Sequence, residues 1–255
     1  MRHSRLARPD GPHEPRDRVM RFAAPLVRAT LIKRYKRFMA DVRFDDGTEV
    51  TAHVANSGAM LGTAEPGMEV WLSPASNPER KLKWNWELVT VDGHLVGVNT
   101  AHPNGIVAEA VAAGQVAELA GYDSIRREVK YGVNSRIDLL LEAEGRPKCW
   151  VEVKNVHLKR GDWAEFPDAV TVRGTKHLAE LTDRVRAGER AVMVYLVQRE
   201  DCAGFRPAAD IDPVYARTLA QATRDGVEAI CYTCRLAPDG IDLGAPLTMD
   251  LTERI

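Results

Sequence analysis

Apolar and polar positions alternate with a period of two through most of the first hundred residues. From Pro25 to about Leu95, the runs LVRATLIKRY, KRFMADVRF, TEVTAHVA, MEVWLS and KLKWNWELVTV read as five successive strands. Asp46-Gly47 supplies a tight turn. NSGAMLG suits a short loop or a single helical turn between the third and fourth strands, and Pro66-Gly67 adds a second break. Five strands with a helical turn at that place predict a small OB-like barrel. In the last strand Leu82, Trp84, Trp86 and Leu88 share one face, which is expected to be core, and Lys81, Lys83 and Asn85 share the exposed one. His53 and Asn56 read as residues that shape loops.

Near residue 97 the period changes. IVAEAVAAGQVAELAG repeats Ile106, Ala110, Ala113 and Ala117 at helical spacing, with Gly121 as its stop. Strands are expected over 125–131, 136–142, 149–156, 191–197 and 227–235, and helices over 175–187 and 213–224. Three strands on short turns should be antiparallel neighbours, whereas the later strand–helix–strand stretch demands a crossover. A mixed α/β sheet covered by helices follows. The chain thus divides into a disordered basic tail over 1–19, with Met20 as an alternative start, an all-β domain over 20–97 and an α/β domain over 98–255.

Composition narrows the setting. The chain has 255 residues, 45% of them hydrophobic, enough for packed cores. No window approaches the roughly 18 apolar residues that cross a bilayer, and MRHSRLARPDGPHEPRDR lacks the apolar heart of a secretory signal. A cytoplasmic protein without a membrane partner is expected. Cys231 and Cys234 lie three apart in the strand-like EAICYTCRL, on opposite faces, so they read as buried thiols rather than a metal pair. The net charge of −1 conceals an asymmetry: residues 1–43 hold twelve Lys/Arg against four Asp/Glu, and residues 101–255 hold twenty against twenty-four. Attraction to phosphate would begin at the N-terminal end.

The candidate chemistry sits in RIDLLLE and CWVEVKN. Asp138 alternates with apolar neighbours on one strand, Glu152 and Lys154 on the next, so the three can share a sheet face. Two carboxylates about 4 Å apart repel by roughly 4 kcal/mol at an effective dielectric near 20, and one lysine offsets only part of that. A hard divalent cation, Mg²⁺ or Mn²⁺, would offset more and leave sites for a phosphate oxygen and a water. Lys154 would then orient that water or help deprotonate it. Glu109, at the border of the apolar stripe on the preceding helix, is the third candidate ligand. The alternative is a salt-bridged cluster of both acids with Lys154 and a nearby arginine.

An acid followed by Glu-x-Lys on the next strand, with a helical acid before them, resembles the PD-(D/E)xK nuclease-like superfamily. The longer runs RYKRFMADV, AHVANSGAMLG, ERKLKWNWELV, VGVNTAHPNGIVAEA, REVKYGVNSRIDLLL, WVEVKNVHL and FPDAVTVRGTKHLAEL resemble the sugar fermentation stimulation protein A (SfsA) family over roughly residues 20 to 235. The resemblance implies an OB-like domain followed by a PD-(D/E)xK nuclease-like domain. It also implies DNA binding without marked sequence preference, in proteins tied to regulation of sugar metabolism. The chain departs from the family pattern at Val54, where cysteine is common, and in its N-terminal tail.

Candidate contacts to nucleic acid are Lys33, Arg34, Lys36 and Arg37, with Tyr35 for stacking, the exposed Lys81 and Lys83, and Arg173 and Lys176 at a helix start, where backbone N–H groups favour anions. His177 reads as packing against Leu178 and Leu181, with an acid–base role as the alternative. Three functions compete: a DNA binder, a metal-dependent nuclease, and a regulator acting through a small ligand or protein partner. The last predicts an apolar pocket; the others predict an open charged groove.

Overall fold

The computed structural model describes residues 20–132 and 135–252; the basic tail over 1–19 lies outside them. β1 (Met20–Arg21) is followed by β2 (Val27–Tyr35), β3 (Met39–Phe44), β4 (Glu49–His53), β5 (Glu69–Pro74), β6 (Trp84–Val91) and β7 (His94–Gly97). Strands β2 to β6 form the OB-like barrel in the order β4-β3-β2-β5-β6, and a parallel bridge between His53 and Asn85 closes β4 onto β6. Leu31, Val42, Val70, Leu72 and Trp86 fill it. The Trp86 indole satisfies its N–H on Leu88 O at 2.9 Å, as a buried tryptophan must.

Leu88 departs from the expected alternation. The β5–β6 register shifts between Trp71 and Leu72, so Leu88 turns away from Trp86 into the core of the following domain. The same shift buries Glu87, which accepts from Ser73 at 2.6 Å and Asn99 at 2.7 Å and meets His102 Nε2 at 2.7 Å. Burial pushes this carboxyl up, but His102, Ser73 and Asn99 outweigh it and hold it below the usual range.

The second domain comprises α1 (Pro103–Ala112), β8 (Ser124–Tyr131), β9 (Ser135–Glu142), β10 (Cys149–Val156), β11 (Leu158–Arg160), β12 (Trp163–Phe166), α2 (Val172–Arg186), β13 (Arg190–Val197), β14 (Gly204–Pro207), α3 (Pro213–Arg224), β15 (Glu228–Ala237), β16 (Gly240–Pro246) and β17 (Thr248–Met249). The main sheet runs β1-β16-β15-β13-β10-β9-β8, antiparallel among β8, β9 and β10 and parallel among β10, β13 and β15. At its centre β13 is buried on both faces, which is why AVMVYLV is continuously apolar rather than alternating. α1 packs on one face, α2 and α3 on the other.

The expected helix over 106–121 ends early. Gly114 takes φ of 69°, its N–H donates to Val111 O and that of Gln115 to Ala110 O, a Schellman stop that the alanine stripe conceals. A second sheet, β11-β12-β14-β17, and β16 escape the sequence reading. Most of these strands are too short for a period to show. β1 pairs with β16, so the barrel proper starts at Val27 rather than at residue 20.

One carboxylate ties the two large helices. Asp212, 2% exposed, caps α3 by accepting from Tyr215 N at 2.9 Å and accepts from Thr171 N at 2.8 Å. Thr171 itself caps α2 through Gly174 N at 3.0 Å. Asp212→Ala should lower stability by about 2–3 kcal/mol in denaturant titration, and Asp212→Asn, which keeps one acceptor but turns an NH2 toward the other N–H, by at least about 1 kcal/mol. Losses below about 0.5 kcal/mol for both would refute the bridging role.

Candidate active site

β9 and β10 pair in register from Cys149 and Leu141 to Val151 and Leu139, which sets Glu152 opposite Asp138. There the ladder stops. The Val153 N–H donates not to the β9 backbone but to Asp138 Oδ2, at 2.7 Å, and the strands fork. β8 distorts at the same level: Glu128, in the position facing Asp138, has φ of 53°, a left-handed conformation costing a non-glycine residue roughly 1 kcal/mol or more. From α1, Asn104 donates to Asp138 Oδ1 at 2.6 Å. Burial first and the charge of Glu152 second push the Asp138 carboxyl up to about 7.

Glu152 is 3% exposed. Its Oε1 accepts from Lys154 Nζ at 2.7 Å and contacts His177 Nδ1. Arg173 Nε donates to His177 Nε2 at 3.2 Å, and His177 Nδ1, which faces Glu152, also lies 3.1 Å from Lys154 Nζ. Burial pushes Glu152 up, but Lys154 and His177 outweigh it and hold it below the usual carboxylate range. Its other oxygen, Oε2, is buried and has no hydrogen-bond partner among the described residues. The Tyr131 hydroxyl is likewise buried and unpartnered, and burial and the charge of Glu152 push it far up.

The expected trio therefore converges, with two corrections. Glu109 is exposed on α1 and does not join it: helix phase gives that face to Asn104, and among the described residues no group of three His, Cys, Asp or Glu is arranged to hold a metal. His177 does more than pack; its ring lies between Glu152 and Arg173. Asn104, Glu128 and Tyr131 stand beside these acids without a signal in the sequence. An amide in the first helical turn, a strand residue in left-handed conformation and a lone tyrosine leave no periodic mark.

Residues 101–240 match the family model described as the sugar fermentation stimulation protein RE domain, and residues 32–98 match the SfsA N-terminal OB domain. The chain belongs to the SfsA family. A sugar fermentation stimulation protein homolog of Rhodospirillum centenum is 64% identical over 231 residues, 90% of this chain and 99% of that protein. One of Maricaulis maris is 56% identical over 235 residues, 92% and 100%. The solved structure of Pyrococcus furiosus SfsA in complex with Ca²⁺ has a TM-score of 0.83 at 26% identity, covering 91% of this chain and 99% of that one.

The basic residues of this SfsA chain do not form one strip. Arg34 donates to the carbonyls of Arg37, Asn56, Gly58 and Ala59, so its guanidinium builds a loop instead of facing solvent. Asn56 organises the same loop, accepting from Gly58 N at 2.8 Å and donating to Val98 O at 2.9 Å. Lys33 lies 3.5 Å from Asp41 and over the ring of Tyr35, whose hydroxyl also donates to Asp41. β2 ends at Tyr35; Lys36 and Arg37 form an exposed turn with φ of 49° and 61°. Lys81 and Lys83 are exposed, the latter bonded to Pro78 O. Arg173 and Lys176 are exposed on α2, and Lys176 lies 3.6 Å from Glu180.

The Asp138 shift fixes a pH dependence. A carboxyl raised from 3.8 to about 7 carries no penalty below its unfolded value, since both states are then protonated. The penalty grows as pH rises through that interval and is complete above about 7. In metal-free buffer Asp138→Asn should therefore exceed the parent by roughly 2 kcal/mol at about pH 8, and the two should converge near pH 4. Parallel stability curves would contradict this.

Proposed function

We propose that this protein binds nucleic acid, chiefly DNA with little sequence preference, and that Asp138, Glu152 and Lys154 hydrolyse phosphodiester bonds with Mg²⁺ or Mn²⁺. The observation that carries the reading is Glu152 Oε2: a buried, ionised carboxylate oxygen without a donor, beside a second acid, in a fork between strands. Such a group calls for a cation. Asp138 and Glu152 are suited to hold one, because Mg²⁺ takes one or two carboxylates and retains waters, so a third acid is not required. The Ca²⁺ in the Pyrococcus furiosus complex supports a hard-cation site in this family.

When bound, the cation would supply charge to a phosphate oxygen and lower the pKa of a water. The chain's own residues do the rest. Lys154 places its ammonium beside Glu152, where it would offset charge building on the phosphate. His177 and Arg173 hold Glu152 in place and leave Arg173 exposed toward an incoming strand. Regulation through a small ligand is a second reading, favoured by a largely apolar cavity of about 440 Å³ lined by Pro207, Pro213, Ala216 and Leu251. It shares no residue with the acid site.

Single- and double-stranded DNA and RNA incubated with Mg²⁺ or Mn²⁺ should be cleaved by the parent and at least about 100-fold more slowly by Asp138→Ala. Absence of metal-dependent cleavage on every substrate would remove the hydrolytic half. Binding itself should weaken steeply with salt, and Arg37→Ala or Arg173→Ala should each lower the log–log slope by about 0.7–0.9. Salt-independent affinity would remove the nucleic-acid half.

A further inference from the structure

Between the barrel and the mixed-sheet domain lies a cavity of about 390 Å³ whose lining includes Arg37, Ser57, Asn155, His157, Phe166 and Pro167. Asn155 lies near the end of β10 and His157 directly follows its last residue, Val156, and both line this cavity. His157 is 5% exposed. Its Nε2 lies 3.3 Å from Asp168 Oδ2, and neither ring nitrogen has a hydrogen-bond partner among the described residues. Asn155 Oδ1 accepts from Gln198 Nε2 at 2.7 Å, while its buried Nδ2 has no partner among the described residues. Buried polar groups are rarely left unpaired; two side by side in one cavity indicate a missing ligand.

Their chemistry narrows what that ligand is. Asp168 favours the proton on His157 Nε2, so Nδ1 offers a lone pair beside the N–H of Asn155. A donor next to an acceptor complements the edge of a nucleobase, whereas a phosphate, which only accepts, would satisfy one of the two. Phe166 and Pro167 add an apolar wall for a flat heterocycle. Arg37 reaches the mouth from a turn in which two consecutive non-glycine residues take positive φ, a strained arrangement that presents a cation for the attached phosphate. The acid site begins one residue away on β10, at Lys154.

The geometry points to this cavity as a pocket for a nucleobase turned out of its stack, read by Asn155 and His157. The inference rests on the nucleic-acid reading and deepens it. To test it, single- and double-stranded oligonucleotides carrying one 2-aminopurine at successive positions are titrated with the full-length protein, with anisotropy measured in parallel. Emission should rise about threefold or more at one position as that base leaves its neighbours. Asn155→Asp keeps the acceptor for Gln198 and removes the unpartnered donor; Asn155→Leu is its uncharged counterpart. Both should abolish the rise and weaken affinity about tenfold. Binding by anisotropy without a rise at any position, or with the rise intact in both variants, overturns the pocket and leaves the nucleic-acid reading standing. No anisotropy change with any strand overturns both. Tight binding of a free nucleoside monophosphate that attachment to a strand does not improve would make this a small-molecule site and overturn the proposal.

Discussion

A single backbone N–H, that of Val153, shapes the centre of this molecule. Two antiparallel strands that keep pairing stay about 4.8 Å apart and leave no opening between them. By donating to the Asp138 side chain, Val153 is satisfied without holding β9 against β10, and the strands separate where the second acid stands. Asp138 therefore does two things at once: it completes the hydrogen bonding of a buried backbone group, and it brings a carboxyl into a place where ionisation is unfavourable.

The two acids are treated unequally by their surroundings. Glu152 has an ammonium and an imidazole on one oxygen and is held ionised. Asp138 has only neutral donors, a backbone N–H and an amide, and faces Glu152 besides, so its proton is held near neutrality. Environments that push neighbouring carboxyls apart in this way are a recurrent feature of sites built for proton transfer and charge handling. The left-handed backbone at Glu128 adds local strain at the same level of the sheet, and strain of that kind persists only where surrounding structure holds it.

What could be read from the sequence was what has a period. The barrel strands, β8, β9, β10, β15, α2 and α3 carry alternation or a helical stripe, β13 stands out as an unbroken apolar run, and the shared face of Asp138, Glu152 and Lys154 follows from alternation alone. What breaks period was invisible: the register shift that sends Leu88 out of the barrel, the Gly114 stop beneath an alanine stripe that continues past it, and the two-to-four-residue strands of the second sheet. Helix phase misled at Glu109, because a boundary position on a short stripe can fall to either side, and it fell toward solvent while Asn104 faced the sheet. His177 was assigned from its apolar neighbours Leu178 and Leu181, which are indeed buried, but a histidine at a helix's flank answers to whatever lies across from it.

The pairing of Met20 and Arg21 with Ile241 and Gly240 bears on how the molecule can move. Because Met20 and Arg21 lie on the edge of the large sheet, and the chain then leaves it to form the barrel and re-enters at α1, the barrel is a loop of the second domain fastened at both ends rather than a bead on one tether. A twice-anchored insertion cannot swing freely about a hinge; it can only tilt as far as both attachments allow.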